Sequence, residues 1–268
     1  MVEHNPGIDF RGQMILLGTG TSVGVPTIGC GCAVCRSSDP KDNRTRTSAI
    51  LGLPEGNLLI DTSPDLRLQL LREQIGVLHA VAFTHEHADH VMGLDDLRLF
   101  PFYIGRPVPL YCEEAVERRI RMAFDYAFYE TPPTHEGAAP KLTFHRIGEL
   151  PFEVLGAGIT PIRLLHGPRF NTLGFRVGNV AYCTDTNCIP EESMARLEGL
   201  NVLVLDALRH TPHVTHFSLE QAIAVSRRLR ARRTIFLHIS HDLGHAVTNA
   251  ALPPGMELGY DGMRIPLT

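Results

Sequence analysis

The sequence has no apolar run of membrane-spanning length, and its start, Met1-Val2-Glu3-His4-Asn5-Pro6, lacks the apolar stretch of a secretion signal. Positive charge is not in excess either. The formal net charge is −4, so no global basic field recruits nucleic acid or acidic membranes. Cysteine is scarce, with six in 268 residues, and three of the six fall within six positions. A chain of this size does not need disulfides in a reducing compartment, and the clustering points to metal instead. These absences predict a cytoplasmic protein without disulfides, membrane contact or nucleic-acid binding. What remains is ordinary for a globular protein: 44% hydrophobic and 20% charged residues. The length suits one α/β domain over residues 1–268.

The chain is organised around Val81-Ala82-Phe83-Thr84-His85-Glu86-His87-Ala88-Asp89-His90. An apolar, β-prone run from His79 to Phe83 ends in three histidines and an aspartate, as a buried strand does when its C-terminal end opens onto a loop site. Imidazoles and a carboxylate suit borderline divalent metals such as Zn, Mn or Fe(II). At the spacing H-x-H-x-D-H, His85 and His87 can face one ion while Asp89 and His90 face a second. In a chain with 14 histidines the bland alternative is a solvated polar loop, but four fixed identities after a buried strand favour metal.

A first strand, Met14 to Leu17, runs into Gly18-Thr19-Gly20-Thr21-Ser22, a tight turn or a phosphate cradle but not a dinucleotide fingerprint. Cys30, Cys32 and Cys35 at C-x-C-x-x-C can wrap a tetrahedral structural zinc whose fourth ligand lies elsewhere. Ser48 to Leu53 and Asn57 to Ile60 read as paired strands, the second ending in Asp61. Asp61 either orients a ligand histidine or caps a helix that runs to about Gln74. A helix is expected over Glu113 to Phe128, then a loop and rim at Thr131–Gly137. His166 closes the strand from Ile159, and a hairpin from Thr172 to Cys183 ends in Asp185. Cys112, Cys183 and Cys188 read as packing residues. The strand Asn201 to Leu205 ends in Asp206, and Ser218 is the expected N-cap of a helix from Leu219 to Leu229. The basic run Arg227 to Arg233 reads as a solvated helix end. His238 and His241 follow the strand Thr234 to Leu237, and Glu257 to Leu267 is strand-like.

Thr84–His90 together with Gly93-Leu94-Asp95-Asp96-Leu97-Arg98 resembles the metallo-β-lactamase superfamily, within it the branch of phosphoribosyl cyclic phosphate phosphodiesterases. The resemblance runs from about residue 14 to about residue 245. It implies an αββα sandwich with a dinuclear site at one edge, holding two divalent ions (Mn2+ or Zn2+). The ligand sets it implies are His85, His87 and His166 for one metal and Asp89, His90 and His238 for the other, bridged by Asp185. It also supplies His241 as the fourth ligand of the cysteine zinc. His216, in Thr215-His216-Phe217-Ser218-Leu219-Glu220, resembles a histidine that faces the scissile phosphate, and is the expected general acid. Asp89 counts as catalytic as well as ligating. His210 and His213 are expected to be incidental. The implied activity is hydrolysis of a small phosphodiester, cyclic ones foremost, by a metal-bridged hydroxide; the sequence leaves the oligomeric state open, a homodimer included.

Alternatives stand beside it. A tRNA 3′-processing nuclease carries a long arm between the third histidine and the bridging aspartate, where only Gly167 to Thr184 lies here. An oxygen-reducing di-iron protein typically has an acid in place of His87. A metal-binding accessory protein of the same fold would lack hydrolytic turnover.

Overall fold

Two seven-stranded sheets face one another in the computed structural model, which describes residues 4–129, 135 and 137–267. The first sheet is built from β1 (Gln13–Gly18), β2 (Ser48–Leu53), β3 (Gly56–Ile60), β4 (Ala80–Ala82), β5 (Val108–Cys112) and β6 (Leu142–Arg146). The second contains β7 (Phe152–Val154), β8 (Ala157–His166), β9 (Phe170–Val177), β10 (Val180–Cys183), β11 (Val202–Asp206), β12 (Arg233–Leu237) and β13 (Met256–Leu258). The last strand, β14 (Arg264–Pro266), returns to the first sheet and pairs with β1. Helices α1 (Leu66–Arg72), α2 (Ala88–Val91), α3 (Phe100–Ile104) and α4 (Glu114–Ala123) go with the first half, and α5 (Glu191–Ala195), α6 (Leu219–Leu229) and α7 (His245–Ala251) with the second.

Strand alternation explains the layers. Met14 and Leu16 of β1 join Ile235 and Leu237 of β12 in the core between the sheets. Ile15 and Leu17 point the other way and pack with Leu66, Leu70, Val116 and Ile120 of the first helical layer. Phe236 of β12 packs outward with Leu219, Ala222 and Leu229 of α6. Side chains of successive strand residues face opposite sides, so two-faced apolar strands need a cover on each side. The result is the expected αββα sandwich.

The parallel strands decide where chemistry sits. β3, β4 and β5 run parallel in one sheet, and β10 to β13 in the other. Their C-terminal ends deliver Asp61, Thr84–His85, Asp185, Asp206 and His238 to one edge of the sandwich. Open α/β sheets bind ligands at such ends.

Several expectations are corrected. The helix from Glu113 ends at Ala123, where Phe124 leaves helical geometry before a short 3-10 turn at Asp125–Phe128. α1 stops at Arg72, and Gln74 is left-handed. The C-terminal strand is two strands in different sheets. Between them the buried Asp261 accepts hydrogen bonds from Thr19, Thr45 and Arg72 as the chain crosses. Cys112 and Cys183 are buried, but Cys188 is exposed and contributes through its backbone pairing with Leu165. The loop expected at Thr131–Gly137 lies mostly outside the described residues. Gly18 and Gly20 make close backbone approaches: a Cβ on Gly18 would meet the Arg46 carbonyl at 1.9 Å, and one on Gly20 the Arg44 carbonyl at 2.9 Å. That favours the tight turn over a phosphate cradle.

Candidate metal centre

The motif after β4 is held from beneath by Asp61. This carboxylate is fully buried at φ +63°, left-handed backbone that costs an ordinary residue on the order of 1–3 kcal/mol. Asp185 (φ +51°) and His238 (φ +58°) share that conformation, so three strand-end site residues carry this strain. Asp61 Oδ1 accepts the Thr84 backbone N–H at 2.8 Å, and Oδ2 accepts Thr84 Oγ1–H at 2.8 Å and His90 Nδ1–H at 2.7 Å. Asp61 is therefore an orienting carboxylate. The capping position of α1 belongs to Asp65, whose side chain makes no cap bond.

These bonds set tautomers. With its hydroxyl proton given to Asp61, Thr84 Oγ1 accepts from His85 Nδ1 at 3.0 Å. His166 Nδ1 donates to the Thr215 carbonyl at 2.8 Å. In His85, His90 and His166 the proton thus sits on Nδ1, and the Nε2 lone pair faces the cavity, the arrangement that metal-binding histidines require.

The free atoms converge in two groups sharing Asp185: His85, His87, His166 and Asp185, and Asp89, His90, Asp185 and His238. His90 Nε2 lies 3.3 Å from Asp89 Oδ2 and 3.4 Å from Asp185 Oδ1. His238 Nε2 lies 3.3 Å from Asp185 Oδ2, and His85 Nε2 lies 3.8 Å from it. Ligands about 2.1 Å from a tetrahedral ion sit about 3.4 Å apart, so the spacing fits cations. The buried Nε2 atoms of His85, His90 and His238 and Asp89 Oδ2 have no hydrogen-bond partner. Buried polar atoms are seldom left unsatisfied, and four facing one another mark a site for ions.

Electrostatics agree. Burial first, then neighbouring histidines, lower the proton affinity of His85, His87 and His166, which keeps their lone pairs free. Burial alone would also lower His90, but the Asp185, Asp89 and Asp61 carboxylates outweigh it and hold a proton there. That excess of anionic oxygen is what divalent cations neutralise, and a cation held by His90 Nε2 would stand where that proton does.

Beside this centre stands His216, buried and stacked on His238 with ring centroids 4.5 Å apart. Its Nδ1 donates to Asp206 Oδ2 at 2.7 Å, leaving Nε2 as the free ring nitrogen. Burial lowers its proton affinity, but Asp206 outweighs burial and the net pKa is raised to about 9. Asp206 also accepts the Thr186 backbone N–H at 2.9 Å, fixing the carboxylate. Sequence reasoning missed Asp206, although it ends a buried strand as Asp61 does. It also missed Phe170, whose ring lies edge-on to His87 at 4.4 Å. The ring of His213, expected to be incidental, lies 5.4 Å from that of His216. His210 is exposed, and His145 stacks on Tyr111 away from the cluster.

A second cluster gathers Cys30, Cys32, Cys35 and His241, with Sγ to Nδ1 distances of 3.2, 3.4 and 3.6 Å. Tetrahedral ligands at the usual Zn–S and Zn–N lengths sit about 3.5 Å apart, so this group fits a structural zinc site. The Cys35 N–H donating to Cys32 Sγ helps to lower that thiol to about 6, while burial pushes Cys35 up to about 11. A zinc ion would hold all three as thiolates.

Comparison with known proteins places this geometry. A β-lactamase superfamily domain model matches residues 56–239. An octanoyltransferase of Porphyromonas gingivalis is 40% identical over 255 residues, covering 94% of this chain and 51% of that protein, so the chain spans about half of that relative's length. A solved diphosphatase from the PhnP family is 44% identical, with a TM-score of 0.88 over 94% of this chain and 96% of the other. Zinc-bound PqqB from Methylobacterium extorquens shares the fold, with a TM-score of 0.79 at 21% identity over 95% and 100% of the two chains. The match to the domain model covers well over half of the chain and includes the histidine motif after β4, and so the chain belongs to the metallo-β-lactamase superfamily, whose fold here carries the residues of a metal-dependent hydrolase.

Proposed function

We propose that the protein is a metal-dependent phosphodiesterase that hydrolyses a small phosphodiester, cyclic ones included. The observation that carries this reading is the Asp206–His216 pair set directly against the two metal-ligand groups that share Asp185. His85, His87, His166 and Asp185 would hold one ion and Asp89, His90, Asp185 and His238 the other. When bound, such a pair supplies a water of lowered pKa and positive charge for the phosphoryl oxygens. The remaining work falls to the chain. Asp61, Thr84 and the Thr215 carbonyl lock three imidazoles in the ligating tautomer. Phe170 walls the His87 side with an apolar face. His216 carries a proton on Nε2 as imidazolium and gives it to the departing alkoxide oxygen, becoming a neutral imidazole still held by Asp206. Removing such an acid typically costs ~10²–10⁴-fold in rate.

A second reading, hydrolysis of a diphosphate, is favoured by the name of the 44% identical neighbour. It breaks the same type of P–O bond with a phosphate as leaving group, and then needs the acid less. Octanoyl transfer is named for a relative about twice as long, and we assign to this chain the hydrolytic chemistry of its own ligand cluster. The test is a panel of cyclic diesters, linear diesters and diphosphates offered to protein reconstituted with Mn2+, Zn2+ or Fe2+. Turnover of diesters above diphosphates supports the proposal, and the reverse order supports the second reading. No phosphorus substrate turned over would favour the metal-binding accessory protein.

A further inference from the structure

The segment from Arg209 to Ser218 forms a rim beside the cluster. It is tied down from both sides: its Thr215 carbonyl accepts from His166 Nδ1 at 2.8 Å, and its Val214 carbonyl accepts from Asn187 Nδ2 at 3.0 Å. Asn187 Oδ1 in turn accepts the Gly167 N–H at 2.8 Å, so the rim and the turn after β8 are one unit. A Cβ on Gly167 would meet Thr215 Cγ2 at 2.6 Å, which shows how closely the two segments pack.

His213 stands on this rim with intermediate exposure, outward of the buried His216. Its Nδ1 faces the Thr215 backbone N–H at 3.3 Å and Thr215 Oγ1 at 3.1 Å. A backbone N–H can only donate, so Nδ1 must accept and the ring proton must sit on Nε2. Burial first, then His216 and Arg209, disfavour a second proton on the ring. The chain thus fixes a neutral N–H donor, in one tautomer, next to the candidate acid.

We propose that His213 is a specificity-determining residue, whose Nε2–H binds an oxygen acceptor on the leaving group of the substrate one or two bonds beyond the oxygen that His216 protonates. This rests on the reading of His216 as the acid. The acceptor is either a hydroxyl, as on a sugar, or a phosphoryl oxygen, as on a diphosphate. An N–H donor placed there selects polar leaving groups over plain alkyl ones, because an apolar group leaves it unpaired.

The experiment uses full-length, metal-loaded protein and the variants H213Q, which keeps a neutral N–H near the same place, and H213F, which removes it. Imidazole nitrogen NMR, with His213 assigned by its disappearance in H213Q, should show the Nε2–H tautomer in the wild type. The opposite tautomer would overturn the proposal whatever the substrate is. Binding of ethyl phosphate, 2-hydroxyethyl phosphate and methyl diphosphate is then measured by calorimetry. H213F should weaken one of the two oxygen-bearing ligands roughly two- to tenfold and leave ethyl phosphate unchanged, while H213Q stays near wild type. Which ligand responds identifies the acceptor. In turnover of diesters with ethanol or ethylene glycol as leaving group, a hydroxyl acceptor predicts a higher KM for H213F on the glycol ester alone, with kcat nearly kept. Equal losses on all three ligands, or none in H213F that folds, would overturn it. Absence of any turnover by wild type would instead count against the phosphodiesterase reading, and the NMR and binding arms would still decide for His213.

Discussion

Replacing Asp61 with asparagine should weaken the metal site without touching any ligand. In the wild type, Oδ1 accepts one backbone N–H, and Oδ2 accepts two protons, from Thr84 Oγ1 and His90 Nδ1. An amide can keep the first bond, but its NH₂ group then meets two donors. Relief comes if His90 moves its proton to Nε2, the atom that faces Asp89 and Asp185. That proton blocks the lone pair. Loss of such an orienting partner typically lowers metal affinity ~10–100-fold, or ~1.4–2.7 kcal/mol. The alternative, an unsatisfied buried donor, costs about 1–3 kcal/mol of stability. The two estimates agree in size, so the outcome is a weaker site, a less stable fold, or a share of each. The assay is chelator competition for the tightly bound ions, paired with melting curves with and without metal. Asp61→Asn protein that matches wild type in both affinity and melting temperature would refute the reasoning.

Other outcomes follow from the same geometry. Elemental analysis should approach three metals per chain, two at the groups sharing Asp185 and one at the cysteine cluster; one or none in metal-supplemented protein would contradict this. Cys32→Ser should lower the melting temperature sharply while the surviving folded fraction keeps its chemistry, because structural metal binding and folding are linked. Unchanged stability with lost activity would make the cysteines catalytic. His216→Ala should keep the metals and slow alkyl or cyclic ribose diesters by ~10²–10⁴-fold, with a much smaller loss on p-nitrophenyl esters, whose leaving group needs no proton. Equal losses would remove His216 as the acid. In metal-free protein His216 has a pKa raised to about 9 from 6.5. Its pairing with Asp206 is therefore fully stabilising below the unfolded value and fades as pH rises through about 9. His216→Gln should flatten that part of the stability–pH curve; an unaltered slope would show that the pair contributes nothing there.

The sandwich was legible because strand periodicity and strand-end polarity are local signals. The apolar run before His85 ends within one residue of the expected place, and Asp185 follows a hairpin readable from Gly178-Asn179. The histidine motif names its own chemistry, since few roles demand those identities together. His166, His238 and His241 are different: the first two are single histidines at strand ends and the third lies in the turn after β12, and only the fold brings each within reach of the motif or the cysteines. In sequence Asp206 is simply the end of a strand, and its bond to His216 depends on how the rim folds back. The contact of His213 Nδ1 with Thr215 is likewise invisible in sequence, because residue order does not encode which ring nitrogen meets Thr215. Arg44, buried between Thr19, Gly259 and His245, is equally hidden, because its partners lie up to 215 residues away in sequence.

The central claim is that this cluster hydrolyses a phosphodiester by attack at phosphorus. It is tested most directly by turnover of a small diester in ¹⁸O-labelled water with metal-reconstituted protein, reading the label by mass spectrometry. Attack at phosphorus predicts one ¹⁸O in the phosphorus-containing product and none in the released alcohol. Label in the alcohol, or no turnover with any of the three metals, would contradict it.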